Sequence, residues 1–175
     1  MGPVQGKFAY AATFTALVLS AGLMAGSPVF AAEMPTTPAQ AAETQKQLVT
    51  EYKGPDTVAG LMSEISALSK DKALFVMFYA EWCGHCKNMT KIFEDARDKT
   101  QLSYSVLRVP VSIGKDPRTA VSVNQNLAKA FKVKGTPQTI VAYKGQATGG
   151  FGGVMPLEIL VDAMNDMHRW IQAEA

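Results

Sequence analysis

Cysteine and histidine are scarce in this sequence. Its 175 residues include two cysteines, Cys83 and Cys86, and two histidines, His85 and His168. A structural zinc site normally takes four such ligands, and His168 belongs to a distant helical segment, so we expect no bound metal and no other cofactor. Haem attachment requires a histidine directly after the second cysteine. The chain has Lys87 at that position, which excludes haem attachment.

Charge of either sign forms no run in this chain. The 17 basic and 15 acidic residues give a formal net charge of +2. The sequence therefore lacks the block of basic residues that is typical of nucleic-acid-binding proteins, and we expect no nucleic-acid partner.

The N-terminus has the composition of an export signal. After Lys7, residues 8–26 are apolar and uncharged, and Val29 and Ala31 follow in the small-residue pattern of a cleavage site. We predict a signal peptide over residues 1–31 and a periplasmic location for the remainder. The alternative is an uncleaved membrane anchor, because 19 uncharged residues approach the length that spans a bilayer. Only in that case do we expect contact with a membrane.

The segment after the predicted signal is rich in Pro, Thr, Ala and Gln. Residues 32–46 show no apolar period, which is typical of a flexible tether, and residues 47–54 show a weak strand pattern. We therefore predict a flexible linker with a possible edge strand over residues 32–53 and a folded domain over residues 54–175.

Apolar periodicity within the predicted domain indicates alternating strands and helices. Asp56 is the expected N-cap of the first helix, and residues 112–125 are expected to form a polar loop. The order of these strands and helices along the chain predicts an α/β fold, in which a central mixed β-sheet is flanked by helices on both faces. Strands are expected at 73–80, 104–111, 138–144 and 147–153, and helices at 57–69, from the cysteines to about Lys99, at 124–133 and from Leu157 onward.

The spacing of the two cysteines suits a redox-active pair. Cys83 should be exposed in the first helical turn, where unpaired N–H groups and the helix dipole favour a thiolate, so it is the predicted nucleophile. Cys86 begins an apolar stripe that continues through Met89 and Phe93, so it should be the buried, resolving thiol. His85 can hold positive charge beside the thiolate and stabilise the reduced form.

Two segments carry a family resemblance. "FYAEWCGHCK" at 78–87 resembles the active-site segment of the thioredoxin superfamily, and its Cys-Gly-His-Cys core matches that of protein disulfide isomerase domains. "FKVKGTPQTIVAYKGQ" at 131–146 is similar to the thioredoxin stretch that places Gly-x-Pro ahead of a strand. The resemblance covers about 54–172. It implies the thioredoxin fold, thiol:disulfide exchange with protein thiols and disulfides, and a partner protein that resets the Cys83–Cys86 disulfide.

The resemblance also implies a substrate-binding site. It predicts that Pro137 is cis and packs beside the disulfide, and that Thr136 presents its backbone to an extended substrate segment. Trp82 is expected to border the same groove. The glycines expected to complete it are Gly149, Gly150, Gly152 and Gly153.

One position departs from the family. Met77 stands where thioredoxins and disulfide isomerases have a buried acid that helps to move the proton of the second thiol. Either Glu81 takes this role through a water, or Cys86 loses its proton more slowly and the mixed disulfide lives longer.

The direction of exchange remains open at this point. The Gly-His pair between the cysteines resembles disulfide isomerases, so we expect an isomerase- or oxidant-like enzyme. The alternatives are a dedicated periplasmic reductant for cytochrome or sulfur-pathway proteins, a redox-inactive thioredoxin-fold binding module, and an exported metal carrier.

Overall fold

The computed structural model describes residues 48–174. The predicted signal peptide and residues 32–47 of the predicted linker lie outside them. The described strands are β1 Val49–Glu51, β2 Ala73–Ala80, β3 Tyr104–Ile113, β4 Val121–Ser122, β5 Gln138–Tyr143 and β6 Gln146–Gly152. The described helices are α1 Val58–Leu68, α2 Gly84–Ala96, α3 Gln125–Ala130 and α4 Leu157–Ala173. None of these helices is long and apolar enough to cross a membrane.

The strands form one mixed sheet in the order β1-β3-β2-β5-β6, and β4 pairs with the end of β3. Strands β1 and β2 run parallel to β3, whereas β5 is antiparallel to β2 and β6 to β5. Every residue of β2 is buried, because helices cover both faces of this central strand. The carboxyl end of β2 leads directly to the two cysteines, so the most buried strand of the sheet positions them.

Two apolar clusters, one on each face, hold the sheet and helices together. Side chains alternate between the faces along β2, as strand geometry requires. The mixed sheet with helices on both faces is confirmed. One cluster joins Phe75, Met77 and Tyr79 to Cys86, Met89 and Phe93 of α2 and to Leu160 and Met164 of α4. The other joins Leu74, Val76 and Phe78 to Leu61 and Ile65 of α1 and to Leu127 of α3.

The folded domain begins earlier than its predicted start at residue 54. The possible edge strand is present as β1, at the edge of the sheet beside β3. Leu48 and Tyr52 are buried on either side of it, and the Tyr52 N–H donates to the Arg108 carbonyl at 2.8 Å. A strand of three residues is too short to show an alternating apolar pattern, so the sequence predicts a linker over this segment.

The N-cap of α1 is Thr57, so the assignment of Asp56 to that position was wrong. The Thr57 hydroxyl accepts from the Gly60 N–H at 3.2 Å. The Asp56 carboxylate instead accepts from the backbone N–H groups of Asn126 at 3.2 Å and Leu127 at 3.0 Å. Asp56 therefore satisfies the free N–H groups at the start of α3.

The predicted loop at 112–125 contains a short hairpin. Ser112 pairs with Ser122 and Ile113 with Val121. Gly114 follows β3 with φ +127°, and a Cβ built there would lie 3.0 Å from the Ala120 Cα. The hairpin therefore requires glycine at this position.

Candidate active site

Cys83 is the N-cap residue of α2. Its backbone is extended, with φ −77° and ψ 109°, and its Sγ accepts a hydrogen bond from the Cys86 N–H at 3.2 Å. The same sulfur lies 3.5 Å from the Thr136 carbonyl oxygen, to which the thiol donates. The predicted nucleophile thus lies at the positive end of a helix, in contact with the segment that precedes β5.

Both cysteines are free thiols, and both are buried. Cys83 is 5% exposed and Cys86 is 1% exposed, so the expectation that Cys83 would be readily accessible was wrong. The chemical environments of the two thiols nevertheless differ. Burial, followed by the hydrogen bond with Cys83, raises the pKa of Cys86 to about 11. The Cys86 thiol therefore keeps its proton at neutral pH.

The peptide bond between Thr136 and Pro137 is cis, which confirms the expectation drawn from the resemblance. Pro137 is buried and Thr136 half-buried. The Pro137 carbonyl accepts from the Gly153 N–H at 2.8 Å, so Gly153 borders the site. The other three glycines lie within β6, where they pair with β5 at Gln138, Ile140 and Val141.

The two residues before Cys83 are bonded to the β3–β4 hairpin. The Trp82 indole N–H donates to the Ser112 hydroxyl at 3.1 Å, and the Glu81 N–H donates to the Ser112 carbonyl at 3.1 Å. The Gly114 N–H donates to the Glu81 carboxylate at 2.8 Å. Trp82 remains 39% exposed beside Cys83. Ser112 and Gly114 were missed by the sequence analysis, which predicts only a polar loop over residues 112–125.

An apolar residue, Met77, occupies the core position where the family has a buried acid. Met77 is fully buried and pairs with Arg108 across β2 and β3. The Arg108 guanidinium lies 3.9 Å from the centroid of the Tyr79 ring. No carboxylate is buried among residues 48–174. The Glu81 carboxylate is half-buried and accepts from the Gly114 N–H, so the described residues supply no buried acid at the position where the family has one.

His85 is exposed in the first turn of α2. Solvent therefore screens its charge, and its effect on the Cys83 sulfur is modest. Within the part of the chain that the structure describes, His, Cys, Asp and Glu side chains form no group of three or more that could hold a metal ion.

The family model for thioredoxin matches residues 57–166, which include both cysteines and the cis Thr136–Pro137 bond. The chain belongs to the thioredoxin family. The mixed sheet with two helices on each face is its thioredoxin fold.

Curated relatives of this thioredoxin-family chain match it over about half its length. Protein disulfide-isomerase TMX3 of Xenopus laevis is 34% identical over 96 residues, which cover 55% of this chain and 20% of the relative. A thioredoxin domain-containing protein of Theileria parva is 30% identical over 100 residues, which cover 57% of this chain and 41% of the relative. Protein disulfide-isomerase A6 of Mesocricetus auratus is 29% identical over 96 residues, which cover 50% and 19%. The chain thus spans from about a fifth to two fifths of these relatives.

Among solved structures, a mutant thioredoxin from Halobacterium salinarum is similar to this thioredoxin-family chain, with a TM-score of 0.49 and 21% sequence identity. The match covers 70% of this chain and 90% of the Halobacterium chain. A reduced thioredoxin of Schistosoma mansoni also has a TM-score of 0.49 and 21% identity, and the match covers 69% of this chain and 97% of the Schistosoma chain.

Proposed function

We propose that this protein is a thiol:disulfide oxidoreductase that exchanges disulfides with protein substrates through Cys83 and Cys86. The observation that carries the proposal is the difference between the two thiols. The Cys83 sulfur caps its own helix and accepts from the Cys86 N–H, an arrangement that stabilises a thiolate. The Cys86 thiol, by contrast, is buried and has a pKa of about 11.

In the reducing direction, the Cys83 thiolate attacks one sulfur of a substrate disulfide. The substrate S–S bond breaks, a mixed disulfide forms, and the departing substrate sulfur takes a proton from solvent. Cys86 then loses its proton and attacks the Cys83 sulfur, which releases the second substrate thiol and forms the Cys83–Cys86 disulfide. Two electrons pass from the protein to the substrate, and the reverse sequence oxidises a substrate dithiol.

Residues beside Cys83 are placed to receive an extended polypeptide. The Thr136 carbonyl already accepts a hydrogen bond from the Cys83 thiol, and the Thr136 backbone is the group that we expect to pair with a substrate strand. The Pro137 carbonyl accepts a hydrogen bond from the Gly153 N–H, which fixes the other end of this segment. The exposed Trp82 ring offers an apolar contact on the other side of Cys83.

We further propose that the exchange is isomerase- or oxidant-like and takes place in the periplasm. The positive charge that His85 can hold supports this direction, because it favours the reduced form. The disulfide isomerases among the relatives support it too. Export rests on the composition of residues 1–31, and a separate redox protein is required to reset the disulfide. Contact with a membrane is proposed only for a protein that keeps its N-terminal segment.

Insulin reduction by the wild type and by Cys83→Ser tests the activity. We expect turnover only in the wild type, and equal rates would show that Cys83 is not the nucleophile. Sequencing the N-terminus of the mature protein tests export, since cleavage after Ala31 leaves Ala32 as the first residue.

Equilibration with glutathione buffers tests the direction. We expect a reduction potential nearer to the roughly −180 mV of protein disulfide isomerase than to the roughly −270 mV of thioredoxin. His85→Pro should make the potential more negative. A value at or below that of thioredoxin would favour a dedicated reductant instead.

A further inference from the structure

Four exposed lysines lie on the two segments that flank the Cys83 sulfur, and we call them the lysine rim. Lys87 and Lys91 are on α2, and Lys132 and Lys134 lie between α3 and Thr136. The Lys87 N–H donates to the Cys83 carbonyl at 3.3 Å. Lys134 precedes Thr136 by two residues, so their Cα atoms are at most about 7.6 Å apart. The fold therefore places lysines on both of the segments that meet at the Cys83 sulfur, although these lysines form no run in the sequence.

The lysines on α2 are unfavourable for the helix that carries them. Helix dipoles favour acidic side chains in the first turn and basic ones in the last turn. Helix α2 has no acidic residue in its first turn and no basic residue in its last turn. It carries Lys87 at the end of its first turn, Lys91 in its middle, and Glu94 and Asp95 at its end. Lys87 and Lys91 are also a like-charge pair four residues apart, which destabilises a helix further.

Lys132 occupies a position that favours glycine. Its φ is +53°, and it follows the C-cap of α3. The N–H of Val133 donates to the Ala128 carbonyl at 2.8 Å, and that of Lys132 donates to the Lys129 carbonyl at 3.2 Å. These bonds define a Schellman motif, whose left-handed residue is usually glycine because a side chain is strained there. A lysine at this position has no explanation in local stability.

The positive charge of the rim is not neutralised by neighbours. The ion pairs found in residues 48–174 join Arg118 to Asp116 and Arg169 to Asp166, so none of the four lysines takes part. Of the acidic residues nearest in sequence, Glu81 accepts from the Gly114 N–H, and Glu94 and Asp95 lie three and four residues after Lys91 on α2. The positive charges of Lys87, Lys132 and Lys134 therefore have no such neighbour on their own segment and act on approaching molecules.

We propose that the lysine rim selects protein substrates that carry Asp or Glu beside the disulfide that Cys83 attacks. The inference rests on the proposed function and names the class of substrate. Exposed charges around a reactive group raise the encounter rate of oppositely charged partners. Residues that break local stability rules are often retained for function, and here Lys87 and Lys132 do so independently.

The test uses two peptides, each with one intramolecular disulfide, that differ only in having Asp or Lys on both sides of each cysteine. The measurement is the second-order rate constant for oxidation of the reduced protein by each peptide. Each constant is divided by that of dithiothreitol with the same peptide, which removes the effect of the flanks on the disulfide itself. We expect the acidic peptide to be favoured at least about fivefold at low salt, and the preference to fall below about twofold in 0.5 M salt.

Two double variants locate the effect. Lys132→Gln with Lys134→Gln should lower the preference for the acidic peptide. Lys70→Gln with Lys99→Gln removes the same charge at the opposite end of the sheet, before β2 and after α2, and should leave the preference unchanged. Lys132→Gly should lower the preference while raising the melting temperature, because glycine relieves the left-handed position. That combination separates a role in binding from a structural one.

The outcomes distinguish this inference from the proposed function. Equal normalised rates with both peptides, in a reaction that Cys83→Ser abolishes, would overturn the lysine rim and leave the oxidoreductase intact. A preference that persists in 0.5 M salt, or that the distant pair of variants abolishes equally, would also overturn it. Failure of the reduced protein to react with either peptide would overturn the proposed function and this inference with it.

Discussion

The Cys83 Sγ atom accepts a hydrogen bond from the Cys86 N–H at 3.2 Å. A hydrogen bond to a thiolate is stronger than one to a neutral thiol, so this contact tightens when Cys83 ionises. The thiol of Cys86 has the opposite preference, because burial favours its neutral form. One turn of helix thus gives two identical side chains different chemistry.

Limited alkylation should therefore label Cys83 at least about tenfold faster than Cys86 at pH 8. The reason is the raised pKa of Cys86 rather than a difference in access, since both residues are buried. With a pKa of about 11, only about one Cys86 thiol in a thousand is ionised at that pH. Iodoacetamide treatment followed by peptide mapping measures both rates, and equal labelling would contradict the assignment of Cys83 as nucleophile.

The Cys86→Ser variant should accumulate mixed disulfides with its substrates. Cys83 can still attack, but no second thiol is present to release the product. Non-reducing gels of the compartment that holds the protein should show new bands that dithiothreitol removes. Cys83→Ser is the matched control and should show none. A Cys86→Ser sample without such bands would argue against protein substrates.

The central strand and the helix that follows it were predictable because their apolar residues form clear patterns. The eight apolar residues of β2 and the stripe of Cys86, Met89 and Phe93 on α2 indicated their burial directly. Strands β1 and β4 have only three and two residues, too few for any period. Strand β1 pairs with β3, which lies far from it in sequence, and β4 pairs with the end of β3 in a short hairpin.

Contacts made across the fold were not predictable. Asp56 has the residue type and position of an N-cap for α1, yet its carboxylate reaches α3, about 70 residues away. The bond from Trp82 to Ser112 likewise depends on how β3 lies beside β2. These hydrogen-bond partners depend on the tertiary structure, so the local sequence does not predict them.

Asp56→Ala should lower the free energy of unfolding by about 1–2 kcal/mol, because two backbone N–H groups at the start of α3 lose their acceptor. The side chain of Asn124, the N-cap residue, makes no capping bond there. Asp56→Asn keeps one acceptor oxygen and should lose less. Urea unfolding measures both variants, and an Asp56→Ala protein as stable as the wild type would contradict the capping role.

The reduced protein should lose stability between about pH 9 and pH 11. The pKa of Cys86 is raised from 9.0 to about 11, so within this window the unfolded chain releases the proton that the folded protein retains. The free energy of unfolding should then fall by up to about 1.4 kcal/mol per pH unit. Cys86→Ala is the control, because it keeps Tyr79 and Tyr104, whose pKa values, raised from 10.0 to about 12, lower stability equally in both proteins from about pH 10 upward. Equal slopes in the two proteins would exclude the contribution of Cys86.

The step in which Cys86 resolves the mixed disulfide should accelerate about tenfold per pH unit from pH 7 to about pH 10. Only the thiolate attacks, and burial, the main cause of the raised pKa, does not depend on the Cys83 thiol. Met77 offers no proton acceptor, and the Glu81 carboxylate already accepts from the Gly114 N–H, so we expect the proton to leave to solvent. The reaction with Ellman's reagent measures this step as the second release of thionitrobenzoate, after Cys83 has formed the adduct. A rate that becomes constant above pH 8 would mean that a nearby base accepts the Cys86 proton, and Glu81→Gln would then identify that base by restoring the slope.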